Sequence, residues 1–440
     1  MKSWGAMNNG DLHNERPLTG LFPADGSPLG IDDYEKAGGY SALEKALQTA
    51  PADITNEVKA SGLRGRGGAG FPTGQKWTFV PMDGPGGKAP SPRDIISNSD
   101  EMEPGAFKDR LLMENNPHQI IEGLAIAAHA VGAEKGYIFL RREYGEAKDR
   151  LGAAVAEAYG RNYLGNNIMG SGFSLDVKLH VSAGRYICGE ETALLNAIEG
   201  KRAIPRSKPP YPQLTGLWGE PAVVDNVETL SCLPHIISRG ADWFKGLSHT
   251  GEGGTKIYTV SGRARNPGWW ELPMGTTIRE LLYDHAGGMQ DGYNFRGVIP
   301  GGASTDFLLE EHLDIRMDFS SMQKAGSRLG TGTMIILDDR TCPVGVVHNL
   351  MQFFARESCG WCTPCREGLS WLRDILRAME NGAGEMGDLD ILEEHTRLLS
   401  PGHTYCALAP GAVEPLQSAL KYFRADFEAH IQNKKCPWKT

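Results

Sequence analysis

The chain has 440 residues, with 45 basic and 54 acidic side chains and a formal net charge of −9 at pH 7. This length exceeds what one ordinary hydrophobic core supports, so two to four domains are expected. The negative charge and the lack of a polybasic run argue against nucleic acid or an anionic membrane as a primary partner. No apolar run is long enough for a membrane span, and the N-terminus lacks the apolar core of a secretory signal, so a soluble protein in a reducing compartment is expected.

Helix and strand patterns alternate through the first half of the chain. Strands are predicted at 94–100, 136–141 and 175–182, and helices over 114–132 and 143–160. This alternation indicates an α/β sheet domain that ends near residue 245. A hairpin that turns at Asn266-Pro267-Gly268, a short helix and strands near 296–300 and 333–338 then indicate a small β-grasp unit. The chain after Pro343 is predicted to be helical, with periodic segments near 344–357, 364–381, 388–399 and 412–430.

Three cysteines with two residues between neighbours, Cys359, Cys362 and Cys365, stand in the run SCGWCTPCREG. Such a loop supplies three thiolates to one iron-sulfur cubane, and the distant Cys406 can supply the fourth. His403 is an alternative fourth ligand. Zinc is the rival metal, although structural zinc sites more often use two separated cysteine pairs. The spacing therefore favours electron transfer through a [4Fe-4S] cluster.

A second motif is the glycine-rich run, which spells G-x-G-x-x-G at Gly65, Gly67 and Gly70. A Rossmann fingerprint would follow a strand and enter a helix, whereas here a helical pattern precedes the glycines and Phe71-Pro72 follows them. Lys76 stands at the wrong distance for a P-loop. Successive unhindered amides beside a cation nevertheless suit a phosphate group, and the alternative is a flexible surface turn.

Two acidic clusters are further candidates for ligand binding. The first follows the strand at 94–100 and contains Asn98, Asp100, Glu101 and Glu103. The carboxyl end of such a strand commonly presents ligand-binding groups, although a solvated loop is the alternative. Glu190 and Glu191 open a predicted helix, where they either favour the helix dipole or hydrogen-bond sugar hydroxyls. Aromatic residues recur beside these motifs. They would either stack on the planar rings of a ligand or pack in the hydrophobic core.

These motifs occur together in one known family. SGLRGRGGAGFPTGQKW, ISNSDEMEPGAFKDR, GRYICGEETALLNAIEG, PRSKPPYP, VVDNVETL and SCGWCTPCREG stand in this order over roughly residues 55–430. The set resembles the NADH- and FMN-binding flavoprotein subunit of respiratory complex I. The resemblance implies an α/β multidomain chain with four regions: an N-terminal segment (1–72), a Rossmann-like FMN/NADH domain (73–245), a ubiquitin-like β-grasp or SLBB domain (246–341) and a four-helix bundle holding [4Fe-4S] (342–440).

The resemblance also implies roles for individual residues. Those expected around FMN are Gly65, Arg66, Gly67, Gly68, Lys76, Asn98, Asp100, Glu101, Gly189, Glu190, Asn226 and Thr229. Those expected around NADH are Phe71, Lys76, Phe79, Glu103, Tyr186, Glu191, Lys208 and Tyr211. The expected cluster ligands are Cys359, Cys362, Cys365 and Cys406. Two positions depart from many relatives: Asp225 replaces an asparagine, which puts an amide contact in doubt because a carboxylate cannot donate, and Ala409 replaces a glycine.

The implied activity is hydride transfer from NADH to the flavin, followed by one-electron transfer to the cluster and onward to quinone, with no protein acid or base at the hydride step. The implied partners are a small [2Fe-2S] subunit and a large multi-cluster iron-sulfur subunit, on the cytoplasmic side of the bacterial inner membrane. One alternative is the diaphorase subunit of an NAD-linked hydrogenase or formate dehydrogenase, although the lack of ferredoxin-like extensions favours complex I. An alternative of another class is a zinc-stabilised interaction scaffold.

Overall fold

The computed structural model describes residues 12–82 and 93–438, which form two compact units. The first contains the described residues up to Met102, together with Phe107–Ile257 and Glu271–Gly275. The second contains Glu103–Ala106, Tyr258–Trp270 and the described residues from Thr276 onward. No helix within the described ranges is both long and apolar enough to cross a membrane.

A parallel sheet forms the centre of the first unit. Its strands are β1 (Asp94–Ser99), β2 (Lys135–Leu140), β3 (Asp176–Val181) and β4 (Ala222–Asn226), in the order β3-β2-β1-β4. Residues of β1, β2 and β4 are almost continuously buried, as in parallel strands covered by helices on both faces. The three predicted strands are confirmed, whereas the short β4 was not predicted.

Helices connect and cover these strands. They are α1 (Ile31–Lys36), α2 (Ser41–Leu47), α3 (Pro51–Ala60), α4 (Thr73–Trp77), α5 (Lys108–Asn115), α6 (Pro117–Val131), α7 (Gly145–Gly160), α8 (Glu191–Ile198), α9 (Val227–Arg239) and α10 (Ala241–Gly246). The single helix predicted over 114–132 is wrong at its start, because α5 ends at Asn115 and α6 begins at Pro117. Asn116 caps α6 by accepting a hydrogen bond from the Gln119 amide.

The strand order reverses between β1 and β4. After β1 the chain adds β2 and β3 on one side of β1, whereas β4, the next strand along the chain, lies on the other side. Asn98 and Asn226 are register partners at the carboxyl ends of these two strands. In open α/β sheets a ligand crevice forms at such a switch point.

A second sheet has mixed strand directions. Its strands are β5 (Thr255–Ser261), β6 (Gly268–Pro273), β7 (Phe295–Ile299) and β8 (Thr333–Asp338), in the order β6-β5-β8-β7. Within the second unit β5 runs parallel to β8, and β7 runs antiparallel to β8. The predicted short helix is present as a π-helical segment at Glu280–His285. The predicted β-grasp topology of mixed strands and a short helix is confirmed.

The C-terminal part of the second unit is helical. A short helix, α11 (Phe319–Lys324), precedes β8, and the helices that follow β8 are α12 (Pro343–Glu357), α13 (Thr363–Glu380), α14 (Gly387–Leu398), α15 (Leu408–Tyr422) and α16 (Arg424–Asn433). The last helix predicted, 412–430, is in fact two helices, because the backbone of Phe423 is not helical (φ −123°, ψ 26°). The bundle of α12 to α15 is therefore followed by a further short helix, α16.

Candidate functional site

A cavity of about 870 Å³ lies in the first unit, at the carboxyl ends of β1 and β4. This volume is within the usual range for small-molecule and cofactor sites. The predicted site residues that line it are Gly65, Gly67, Phe71, Lys76, Phe79, Asn98, Gly189, Glu190, Glu191, Lys208, Tyr211, Asn226 and Thr229. Lining residues that were not among the predicted site residues are Ala69, Gly70, Thr73, Gln75, Gln213, Leu214, Val224 and Asp225. Segments far apart in the sequence thus meet at one crevice.

Other predicted residues lie away from the cavity wall. The Arg66 side chain is fully buried and donates to the carbonyls of Gly253 (2.7 Å) and Thr255 (3.2 Å). The Asp100 carboxylate is buried and accepts from Ser182 Oγ at 3.1 Å. These side chains brace the loops around the cavity.

Glu101 and Glu103 also contact other parts of the protein. Glu101 accepts the amides of Asp109 and Arg110, both at 3.1 Å, at the start of α5. Burial, together with the charge of Asp109, raises the pKa of Glu101 to about 7. Glu103 belongs to the second unit, where it accepts the Ser304 amide at 2.7 Å. Gly68 and the half-buried Tyr186 do not line the cavity either.

The glycine loop joins α3 to α4 and closes on itself. The Gly65 amide donates to the Phe71 carbonyl at 2.9 Å, and the Arg66 amide donates to Thr229 Oγ1 at 2.8 Å, which ties the loop to α9. A Cβ added at Gly67 would lie 3.1 Å from the Asn226 Cβ. The loop therefore presents bare backbone to the cavity, as a bound phosphate requires.

Two lysines flank the Glu191 carboxylate at the cavity wall. Lys208 Nζ lies 2.9 Å from one Glu191 oxygen, and Lys76 Nζ lies 3.7 Å from the other. Burial would raise the pKa of Glu191, but the charges of Lys76 and Lys208 outweigh burial and lower it. Glu191 is therefore an ionised acceptor held in a fixed position by two cations.

Glu190 has a structural role in the same wall. It caps α8 by accepting the amides of Thr192 (3.0 Å) and Ala193 (2.8 Å), and its other oxygen accepts from Lys208 (3.0 Å). Asn98 Nδ2 donates to the Gly189 carbonyl at 3.1 Å, which joins the end of β1 to this turn. Glu190 thus caps α8 and also lines the cavity.

Asp225 is an acceptor in this chain. Its carboxylate takes a hydrogen bond from Trp77 Nε1 at 2.8 Å and lies 3.4 Å from Lys76 Nζ, which also donates to the Val224 carbonyl. Both neighbours are donors, so the carboxylate suits its surroundings. The departure from asparagine therefore reinforces the position of Lys76.

Exposed aromatic rings form the rim of the cavity. Phe71 is 46% exposed and Phe79 is 49% exposed, and their ring centroids are 6.1 Å apart with planes inclined by 50°. Tyr211, which also lines the cavity, is 53% exposed. Large apolar rings are normally covered by other protein groups, so a pair left open at a cavity mouth suits a planar ligand.

A buried charge network lies behind Asn226. Glu228 contacts Lys108 and Lys256, each at 2.9 Å, and all three side chains are almost inaccessible. Burial would raise the pKa of Glu228, but the two lysines hold it at about 2. Asn226 Nδ2 donates to Asp109 at 2.7 Å and so connects this network to the cavity wall. The sequence does not predict this network, because its members come from separate parts of the chain.

The four predicted cluster cysteines come together in the second unit. Cys362 precedes α13, Cys365 lies in its first turn, and Cys406 precedes α15. The pKa of the Cys365 thiol is raised to about 12, chiefly by burial and in smaller part by the thiols of Cys362, Cys406 and Cys359, so all four thiols are neighbours.

Exposure favours the half-buried Cys406 over His403 as the fourth ligand. Trp361 and Tyr405, one from each cysteine loop, are in edge-to-face contact, with their ring centroids 6.4 Å apart. His403 is exposed. A set of four thiols fits a cubane iron-sulfur cluster.

Three family models match the chain. They are described as the Nuo51 FMN-binding domain (residues 58–235), the SLBB domain (257–307) and the NADH-ubiquinone oxidoreductase-F iron-sulfur binding region (345–430). The first covers the glycine loop and the carboxyl ends of β1 and β4. The third covers the four cysteines, so the cluster is [4Fe-4S] and the zinc alternative is not supported.

Curated relatives and solved structures match over most of the chain. The NADH-quinone oxidoreductase F subunit of Escherichia coli (strain K12) is 54% identical over 94% of this chain and 93% of its own. The F subunit of Streptomyces coelicolor is 45% identical over 96% and 92%. The crystal structure of an NAD+-reducing [NiFe]-hydrogenase in the air-oxidized state has a chain that is 33% identical, with a TM-score of 0.81, over 98% of this chain and 69% of that one. By its sequence identity and its FMN-binding and [4Fe-4S] regions, the chain belongs to the family of NADH-quinone oxidoreductase F subunits.

Proposed function

We propose that this chain oxidises NADH in the 870 Å³ cavity and delivers the electrons to the [4Fe-4S] cluster held by Cys359, Cys362, Cys365 and Cys406. The observation that carries the proposal is the cavity itself. It combines a bare glycine loop, an ion cluster around Glu191 and an open aromatic pair at one switch point. Each feature serves a different part of a flavin and a nicotinamide nucleotide.

FMN would lie against the glycine loop and the two strand ends. Gly65, Gly67 and Lys76 would receive its phosphate, because bare amides and an ammonium are suitable donors. Asn98 and Asn226 would hydrogen-bond the ring edge, with Gly189, Glu190 and Thr229 completing the pocket. The side chains of Arg66, Asp100 and Glu101, together with Gly68, would support the loops behind the cofactor.

NADH would enter between the aromatic rim and the ion cluster. Phe71 and Phe79 are open for stacking on adenine, and Glu191 is an ionised acceptor suited to ribose hydroxyls. Lys208 and Tyr211 would line the nucleotide site, and Glu103 and Tyr186 are proposed to complete it.

Bound FMN supplies the conversion of a two-electron hydride donor into single electrons for a cluster. The protein residues bind and orient FMN and NADH and exclude water from the site. No proton transfer by a side chain is required. Glu191, Lys76 and Lys208 hold one another in fixed positions, so the nucleotide meets a preorganised wall.

We propose that the chain has four regions. Residues 1–72 form an N-terminal segment and 73–245 the FMN/NADH domain. Residues 246–341 form the β-grasp domain and 342–440 the cluster-binding bundle.

As a homologue of an F subunit, the chain works with partner subunits. We propose that these are a small [2Fe-2S] subunit and a large multi-cluster iron-sulfur subunit. The complex would lie on the cytoplasmic side of the bacterial inner membrane and pass electrons to quinone. The hydrogenase structure raises a diaphorase role as the second candidate, but the curated NADH-quinone oxidoreductase relatives are more similar in sequence.

The proposal is tested by purifying the chain with its natural partners. We expect bound FMN, an iron-sulfur absorption band, NADH-dependent ferricyanide reduction and co-purification of iron-sulfur subunits with quinone reductase activity. Co-purification of a nickel-containing hydrogenase subunit would instead support the diaphorase role. Protein without flavin or iron would contradict both.

A further inference from the structure

Four metal-binding side chains converge in the second unit, apart from the cysteine cage already described. They are Cys342, Glu380, His430 and Cys436, and one ligand atom from each lies within 4.8 Å of the other three. Cys342 Sγ lies 3.3 Å from both Glu380 Oε1 and His430 Nε2, and the latter two atoms are 3.1 Å apart. Glu380, His430 and Cys436 are buried.

The four side chains come from separate elements of the helical bundle. Cys342 caps the start of α12, and Glu380 is the last residue of α13. His430 lies in α16, and Cys436 follows that helix. The cluster therefore joins the final helix and the C-terminal segment to the first two helices of the bundle.

Outer contacts orient two of these ligands. His430 Nδ1 donates to the Asp426 carbonyl at 2.6 Å, so Nε2 is the nitrogen that faces Glu380 and Cys342. The Gly345 amide donates to Cys342 Sγ at 3.2 Å, as it would to a thiolate. Fixed tautomers and supporting hydrogen bonds of this kind are typical of metal sites.

We propose that Cys342, Glu380, His430 and Cys436 bind one structural Zn²⁺ ion. Two thiolates, an imidazole and a carboxylate are all zinc ligands, and bonds of about 2.0–2.3 Å place tetrahedral ligands about 3.3–3.8 Å apart. The three separations given above are close to these values. The two soft thiolates disfavour Mg²⁺ and Ca²⁺, which prefer oxygen ligands. A cubane iron-sulfur cluster is held by four thiolates, and this site has only two.

The proposed zinc site and the cysteine cage lie at opposite ends of α12 and α13. Cys342 precedes the 15 residues of α12, and the cage begins just after that helix, so about 22 Å of helix separates them. α13 separates Glu380 from Cys362 and Cys365 in the same way. The zinc would therefore fasten the C-terminal segment without contacting the cluster.

The test measures zinc and iron together in the full-length, FMN-replete, iron-reconstituted protein. We expect about one zinc per chain, with X-ray absorption giving two sulfur neighbours near 2.3 Å and two nitrogen or oxygen neighbours at about 2.0–2.1 Å. Cys436→Ser and His430→Asn should lose zinc and keep iron. Cys362→Ala should lose iron and keep zinc, and Cys232→Ser, a buried cysteine outside both clusters, should keep both metals.

Three outcomes would overturn the proposal. The first is zinc that disappears with Cys362→Ala or has four sulfur neighbours, since it would then occupy the cage. The second is native protein that neither contains zinc nor binds one equivalent when titrated with zinc alone. The third is a Cys342–Cys436 disulfide in the native chain, detected by mass spectrometry after alkylation. The native-protein measurements decide the matter even if the variants fail to fold.

Discussion

Asn98 and Asn226 are register partners at the carboxyl ends of adjacent parallel strands, and each donates a hydrogen bond to a group outside the sheet. Asn98 donates to the Gly189 carbonyl at 3.1 Å, and Asn226 donates to Asp109 at 2.7 Å. Both side chains line the cavity. The crevice between β1 and β4 thus carries two amides whose positions are fixed by the α8 turn and by the buried charge network.

Gly67→Val should release FMN. A Cβ at this position would lie 3.1 Å from the Asn226 Cβ, so a branched side chain must displace either Asn226 or the glycine loop. The dissociation constant of FMN should rise about tenfold or more, and a tenfold rise corresponds to about 1.4 kcal/mol of binding energy. Flavin released by denaturation and measured per folded chain should fall accordingly. Gly145→Val is the control, because nothing lies within 4 Å of a Cβ there. Normal FMN content in a folded Gly67→Val protein would contradict the proposed phosphate site.

Glu191→Gln should weaken the preference for NADH over NADPH. The native carboxylate is expected to accept from ribose hydroxyls and repel an added phosphate, although Lys76 and Lys208 partly offset its charge. Without it the two lysines would favour the phosphate, and a change of about 1–3 kcal/mol in discrimination is typical of one such contact. The NADPH-to-NADH ratio of kcat/KM in ferricyanide reduction should rise about tenfold or more. The control is Glu146→Gln, on the exposed face of α7, which should leave the ratio unchanged. An unchanged ratio in Glu191→Gln would contradict the proposed contact with ribose and leave Glu191 only its role at the start of α8.

Cys362→Ala should remove the iron-sulfur cluster and retain FMN. A cubane needs four thiolates, and Cys362 is one of the four neighbouring thiols. The flavin cavity belongs to the other compact unit, so its binding residues remain in place. Iron, acid-labile sulfide and flavin should be quantified on the same sample. A full complement of iron in this variant would exclude Cys362 as a ligand.

Glu228→Gln should destabilise the first unit. The substitution leaves Lys108 and Lys256 buried without their shared carboxylate, and breaking a buried pair in this way costs about 3–5 kcal/mol. The melting temperature at pH 7 should fall by several degrees. Glu146→Gln is again the surface control.

The difference in stability between the native protein and Glu228→Gln should depend on pH, with a definite sign. The pKa of Glu228 is about 2 in the folded protein, below the ordinary glutamate value of 4.5, so its contribution is present above pH 4.5 and is lost as the pH falls towards 2. The gap in melting temperature between native protein and Glu228→Gln should be full at about pH 6 and smaller at about pH 4. A gap that widens on acidification would contradict the assignment of a low pKa.

Local patterns were enough to predict three strands of the first sheet and most helices. They failed where a short or broken element depends on its neighbours. β4 has only five residues and is defined by its pairing with β1. The predicted helix 412–430 breaks at Phe423, whose ring packs on Phe307 of the same unit, a contact that sequence periodicity cannot express.

The sequence alone determined the chemistry that the chain can perform. Cysteine spacing indicated an iron-sulfur cluster, the glycine run indicated a phosphate site, and the order of six motifs carried the family resemblance that implied a flavin and a nicotinamide nucleotide. Only the tertiary structure decided which side chains face the cavity. Arg66 and Glu101 stand near lining residues in the sequence, yet their side chains are buried elsewhere because Gly253 and the start of α5 offer them partners. Glu228 with its two lysines, and Cys342 with His430, likewise depend on distant segments meeting, since burial and ion pairing are properties of the folded chain.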